Sequence, residues 1–160
     1  MIKLFNTGET QETLRQDYNP DGSVLRRAQL RMLEMAIYLQ ETAKKIGIPL
    51  RLDGGNVLGA LRHGGFIPWD DDLDFFMPRK DYEKLAELWP RYADERYFLS
   101  KSNKNFVDRN LFITIRDKET TCIKPYQQDL DLPHGLALDV LPLDYFSKHQ
   151  IFALIKKRIS

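Results

Sequence analysis

The sequence predicts a mixed α/β (α+β) fold, a central sheet flanked by helices, and three observations carry that expectation. Residues 23–46 repeat apolar side chains at helical spacing. Several later stretches are short, apolar and bounded by turn residues, as strands are. Between them, residues 48–77 run strand, Gly54-Gly55, brief helix, acidic loop and apolar strand, an order that alternates the two element types.

Taken in order, residues 1–22 read as a lead-in, partly ordered at most. It is polar and closes on Asn19-Pro20-Asp21-Gly22, a turn signature ahead of a helix. The domain proper is set at 23–160. Ser23 is a suitable N-cap, and Leu25, Ala28, Met32, Met35, Leu39, Ala43 and Ile46 recur every three or four residues before Gly47 supplies a stop. Met32 and Met35 are assigned to packing.

Ile48 to Leu52 reads as a strand, and Asn56 to Leu61 as a brief helix closed by Arg62-His63-Gly64-Gly65. Glycines between a strand and a helix let the backbone approach a ligand, and a helix start offers free N–H groups to phosphate oxygens. Gly54, Gly55 and Asn56 are therefore candidate substrate-binding residues. Arg62 suits either a phosphate contact or the negative end of the helix, and His63 suits a C-terminal cap or a catalytic acid. Phe66, Ile67 and Trp69 are expected to plug the following loop into the core.

Asp70, Asp71, Asp72 and Asp74 then lead into Leu73, Phe75, Phe76 and Met77. In an extended segment Asp72 and Asp74 share a face and Leu73 opposes them; Asp70 joins only if the extended form starts that early. Carboxylates crowded like this raise one another's pKa or recruit a cation, and an oxygen-only ligand set suits magnesium or manganese. The alternative is a solvated acidic turn. The apolar flanks argue against it, and the absence of a central glycine and closing glutamate argues against an EF-hand.

Pro78 to Trp89 has Tyr82, Leu85, Ala86 and Trp89 at helical spacing, ended by Pro90. Tyr97 to Leu99, Leu111 to Ile115 and Thr120 to Ile123 read as strands, the last two joined by a turn at 116–119. Residues 124–134 form a loop, and 135–144 a strand with Asp139 embedded among aliphatic residues. A lone acid there must be paired or neutralised, by a shared cation or by an arginine such as Arg116. The end, 147–160, is a basic amphipathic segment that suits a core helix or a membrane surface.

At 160 residues the chain suits a single domain with a real core. The 24 Lys and Arg against 23 Asp and Glu nearly balance, which argues against a dedicated nucleic-acid or anionic-membrane binder. Cys122 is the single cysteine, no apolar run spans a bilayer, and the first residues lack a signal-peptide core. A cytoplasmic protein, at most peripheral to a membrane, is expected.

Leu58-Gly59-Ala60-Leu61-Arg62-His63, Gly65-Phe66-Ile67-Pro68-Trp69-Asp70-Asp71-Asp72-Leu73-Asp74, Pro78-Arg79, Asp81-Tyr82 and the later run Leu138 to Asp144 closely resemble the LicD family, which includes fukutin and fukutin-related protein. The resemblance implies a nucleotidyltransferase-like fold in which Asp72, Asp74 and Asp139 hold magnesium and serve catalysis, with Asp70 in a supporting position. Gly54-Gly55-Asn56 stands at the family's phosphate-binding turn, with Asn56 where a serine or threonine is usual. It further implies transfer of a phosphorylated alcohol, phosphocholine or similar, from a CDP-activated donor to a sugar hydroxyl of a surface glycan such as lipopolysaccharide or teichoic acid. Relatives run on past this point, so the domain is expected to be C-terminally incomplete. Two alternatives stand beside this reading: a nucleotidyltransferase acting on a small alcohol or phosphate, and a non-catalytic, metal-stabilised fragment.

Overall fold

In the computed structural model residues 10–145 are described, so the basic segment at 147–160 lies outside the described residues. The first helix, α1 (Gln11–Tyr18), falls within the expected lead-in. It has no buried residue and hence no apolar period to read; Thr10 and Thr13 cap it reciprocally, and Arg15 pairs with Glu12 and Asp21. Helix α2 (Val24–Ile46) has Ser23 as N-cap and ends at Gly47 in the left-handed conformation, as expected. Strand β1 (Arg51–Leu52) is shorter than expected, and α3 (Gly54–His63) begins two residues earlier.

Strand β2 (Asp74–Pro78) runs directly into α4 (Arg79–Tyr92), which carries Pro90 in its last turn. The missing N–H of Pro90 costs one bond, yet Ala93 N–H still donates to Trp89 O, so the helix outlasts the proline. Strands β3 (Tyr97–Ser100), β4 (Ile113–Asp117) and β5 (Ala137–Leu143) complete the sheet, in the order β1-β2-β5-β4-β3. Among the described residues β2 and β5 run parallel, and the other three pairings are antiparallel.

The expected strand at Thr120 to Ile123 is not formed. Both edges of β4 are taken, by β3 and β5, so no edge remains for a hairpin partner. Arg116 and Asp117, expected in a turn, are instead buried inside β4, which begins two residues later than expected and leaves Leu111 exposed. The connection from β4 to β5 is irregular apart from a short 3-10 turn at Pro125–Gln127.

The two faces of the sheet differ sharply. Phe75, Met77, Leu138, Val140, Ile113 and Ile115 form the apolar face and pack against Met32, Met35 and Leu39 of α2 and Tyr82 and Leu85 of α4. On the opposite face the pairings place Asp74, Asp139, Thr114 and Ser100 in one row across β2, β5, β4 and β3. Each buried aliphatic side chain on the first face contributes about 1.5–3 kcal/mol, so burial of the helices fixes the register of the polar row.

One glycine controls how α3 meets the acidic loop. A Cβ on Gly59 would lie 2.5 Å from Gly65 O and 3.1 Å from Ile67 N, both backbone atoms that a side-chain rotation cannot move. Gly59→Ala is expected to destabilise the chain by about 1–2 kcal/mol, overpacking outweighing the better helix propensity of alanine. Urea denaturation measures this, and a neutral or stabilised variant would contradict the close approach.

Candidate functional site

Asp74 and Asp139 are direct partners on adjacent parallel strands, so their side chains leave the same face of the sheet. Asp139 N–H also bonds Leu73 O at 3.3 Å, continuing the pairing toward Asp72. The acids from the two distant segments are thereby brought together. Arg116 does not pair with Asp139: its Nη2 donates to Gln127 Oε1 at 3.1 Å, and Lys124 Nζ is the cation near Asp139, 4.0 Å from Oδ2. Asp139 Oδ1 is buried with no hydrogen-bond partner among the described residues.

The electrostatics are those of crowded carboxylates. Burial first, then the charges of Asp72, Asp139, Asp53 and Asp70, push Asp74 up to about 6. Burial likewise raises Asp139, against the opposing pull of Lys124, Thr114 and Arg116, and raises Asp70 together with Asp72 and Asp71. Carboxyl oxygens of Asp70, Asp71 and Asp72 converge to within 4.8 Å of one another. That tight set shares only Asp72 with the expected Asp72, Asp74 and Asp139. Asp70 Oδ2 is a second buried carboxylate oxygen without a partner among the described residues.

Two buried amides hold this arrangement. Asn56 donates from Nδ2 to Asp72 O at 3.1 Å and accepts from Asp74 N–H at 2.6 Å, gripping the backbone on both sides of Leu73. Its side chain is thus committed to the acidic strand rather than open to a phosphate. Gln29 of α2 donates from Nε2 to Ile67 O, Pro68 O and Asp70 O, and is itself bonded by Asn19 at 2.9 Å. Gln29 was not singled out from the sequence: it lies four residues after Leu25 and three before Met32, on the inward face, but a polar residue there carries no signal of what it grips.

At the glycine turn, Gly54 adopts φ +49, and its N–H is taken by the carboxylate of Asp53, the N-cap of α3. Asn56 N–H bonds Asp53 O at 3.1 Å, which leaves Gly55 as the N–H of the three unbonded among the described residues. A Cβ on Gly55 would sit 3.3 Å from Asp70 Oδ2, so the bare glycine lets the acidic loop close against the helix start.

Arg62 and His63 turn toward each other, Arg62 Nε donating to His63 Nε2 at 3.0 Å. Burial, and then the Arg62 charge, hold the His63 imidazole below its usual pKa, so it is neutral at pH 7 and accepts that bond. The helix cap is Gly64, at φ +67. Trp69 is 52% exposed and does not plug the core. Ile67 and Pro68 turn inward and Asp70 N–H closes a turn onto Ile67 O at 3.0 Å, which puts residue 69 at the outer corner.

Comparison with known proteins decides the lineage. The family model described as "LicD/FKTN/FKRP, nucleotidyltransferase domain" matches residues 47–127. The chain belongs to this family. The matched stretch holds the glycine turn and the acidic loop and stops before Asp139. A relative named lipopolysaccharide cholinephosphotransferase LicD, from Haemophilus influenzae, is 40% identical over 73 residues, covering 46% of this chain and 28% of the relative. The human ribitol 5-phosphate transferase FKRP is 29% identical over 133 residues, 70% of this chain and 26% of the relative. Mannosyltransferase regulator 4 of Saccharomyces cerevisiae is 34% identical over 90 residues, 51% of this chain and 8% of the relative. The LicD-family chain therefore spans little more than a quarter of either transferase. No helix among its described residues is long and apolar enough to cross a membrane.

The face that carries the acids was partly missed from sequence. Thr114 and Arg116 line it, and the alternation Ile113-Thr114-Ile115-Arg116 is the signal that could have found them. Asp53 and Lys124, which also act on the acids, lie outside any regular pattern.

Proposed function

We propose that this chain transfers a phosphorylated alcohol, of the phosphocholine or ribitol phosphate kind, from a CDP-activated donor to a sugar hydroxyl of a surface glycan. The observation that carries the reading is the pairing of Asp74 with Asp139, beside Asp72, on a polar sheet face with a buried carboxylate oxygen left over. The names of the Haemophilus and human relatives supply the reaction class.

A divalent ion suits the chemistry of these oxygen donors, and Asp72 also belongs to the set of Asp70, Asp71 and Asp72 whose oxygens converge within 4.8 Å. Asp74 is held near pKa 6 by burial and by four neighbouring carboxylates, and Asp139 Oδ1 has no hydrogen-bond partner among the described residues. Asp72, Asp74 and Asp139 would hold magnesium or manganese, with Asp70 in support. Such an ion neutralises charge on the donor's diphosphate oxygens.

The chain's own groups bind, orient and handle the proton. At the start of α3 the Gly54 N–H is taken by Asp53, and the Gly55 N–H is the one available to a phosphate oxygen. Asn56 and Gln29 hold the backbone that carries the carboxylates, at Asp70, Asp72 and Asp74, so little reorganisation accompanies reaction. The acceptor hydroxyl oxygen forms a bond to the distal phosphorus, the bond from that phosphorus to the bridging oxygen breaks, and cytidine monophosphate leaves. The hydroxyl proton passes to Asp139 where that carboxylate is not itself a metal ligand, and to solvent water where it is.

Product analysis tests this. With CDP-choline or CDP-ribitol, magnesium and a lipooligosaccharide acceptor, cytidine monophosphate is expected in equal amount to the alcohol phosphate transferred. Pyrophosphate released from CTP and an alcohol phosphate, or binding without turnover, would overturn the assignment.

A further inference from the structure

Trp69 and Tyr18 form an exposed aromatic corner beside the acidic loop. Their rings meet edge to face at 5.2 Å with an interplanar angle of 70°, although Tyr18 is 61% exposed and Trp69 52%. The imidazole of His63 lies 6.4 Å from the Trp69 ring, at an interplanar angle of 75°. The backbone beneath is rigid: Gln29 holds the carbonyls of Ile67, Pro68 and Asp70, and Asn19, next to Tyr18, is buried against Gln29. Two large rings are thus kept in solvent on a fixed frame, one residue from Asp70.

We propose that this corner is the acceptor subsite and takes the apolar face of a pyranose ring on Trp69, with Tyr18 as its side wall. The inference rests on the transferase reading above and names the part of the site that holds the acceptor. The neighbouring charges select the ligand. Asp71, two residues after Trp69, is exposed and is not among the proposed metal ligands, so its carboxylate can accept hydrogen bonds from sugar hydroxyls. The 70° angle leaves a single stacking face rather than a slot between two parallel rings. A single face with acceptors at its edge suits a ring that is apolar on one side and hydroxylated around its rim; a flat nucleobase gains more from a parallel slot.

Saturation-transfer NMR on the whole chain tests this without requiring turnover. The probes are methyl β-D-galactopyranoside and methyl β-D-glucopyranoside, with cytidine monophosphate as control. Transfer is expected from protein aromatic protons to the ring C–H protons of one apolar sugar face. It should fall at least fivefold in Trp69→Ala and Tyr18→Ala, and be retained in Trp69→Phe, with cytidine monophosphate signals unchanged. Since both rings are exposed, circular dichroism should show these variants folded. Equal transfer in Trp69→Ala, or loss of the cytidine monophosphate signal in its place, overturns the proposal. If sugar binding behaves as expected but no alcohol phosphate is transferred, the transferase reading fails and the sugar subsite stands.

Discussion

Replacing Asp74 with asparagine is expected to lower transfer activity by about a thousandfold, some 4 kcal/mol of barrier, while making the metal-free chain more stable. The two effects share one cause. Burial, then Asp72, Asp139, Asp53 and Asp70, disfavour the ionised form of Asp74 and bring it up to about 6. Its folded pKa thus exceeds the unfolded value, so the folded chain binds more protons between the two. Stability contributed by the protonated group is fully present below about pH 4 and is lost as pH rises through 6. At pH 7 the ionised carboxylate costs about 1–2 kcal/mol, after allowing for partial exposure. Asparagine removes that cost without disturbing the backbone N–H that Asn56 accepts. In EDTA at pH 7 the variant should therefore melt above the parent chain, and the gap should close at pH 4. Magnesium should then raise the melting temperature of the parent and leave the variant unmoved. A variant that keeps its activity, or melts lower in EDTA at pH 7, would remove Asp74 from the proposed site.

What could be read from the sequence divides along physical lines. Helix α2 was legible because its buried face repeats over 23 residues and both caps are standard. The parallel pair β2 and β5 was legible as two apolar runs with acids inside them, though their exact register, Asp74 against Asp139, follows only from packing. Helix α1 was not legible, since nothing in it is buried and its stability comes from Thr10, Thr13 and Arg15 contacts that leave no period. The expected hairpin of strands 111–115 and 120–123 failed because the charged residues at 116–119 read as surface turn, whereas Arg116 and Asp117 find partners inside. Asn56 shows the same limit in the site. Its position beside the glycines was legible, but its grip on Asp72 and Asp74 depends on a fold that brings residues 16 and 18 positions away to its amide. Trp69 is the opposite error, an aromatic read as core that a tight turn directs outward.

The largest expected loss of stability comes from Asp117, at the end of β4. Its side chain is wholly buried, with Oδ2 accepting from Arg31 Nε at 2.7 Å and Arg96 Nη2 at 2.9 Å, and Oδ1 from Arg96 Nε at 3.1 Å and Glu119 N–H at 3.0 Å. Burial alone would raise its pKa; the bonds from Arg96, Glu119 and Arg31 outweigh burial and hold it below the usual carboxylate range. One carboxylate therefore joins α2, the approach to β3 and the end of β4. Asp117→Leu leaves Arg31 and Arg96 facing an apolar group, with the exposed Glu119 to share and the exposed Glu34 beside Arg31, and should cost about 3–5 kcal/mol. The sign with pH is opposite to that of Asp74. A depressed carboxylate stabilises above its unfolded pKa and loses that contribution as pH falls through its folded value, so the penalty of Asp117→Leu should be full at pH 7 and shrink toward pH 3. Gly135→Ala probes the same corner without touching charge. Its Cβ would fall 1.9 Å from Asp117 O, an overlap that only backbone movement relieves. The loss in that variant should be comparable at pH 7 and should not shrink toward pH 3, because no ionisable group has been removed. Urea denaturation at both pH values separates the two. A pH-independent penalty for Asp117→Leu would mean that the packing of this corner, and not its charge, joins β4 to α2.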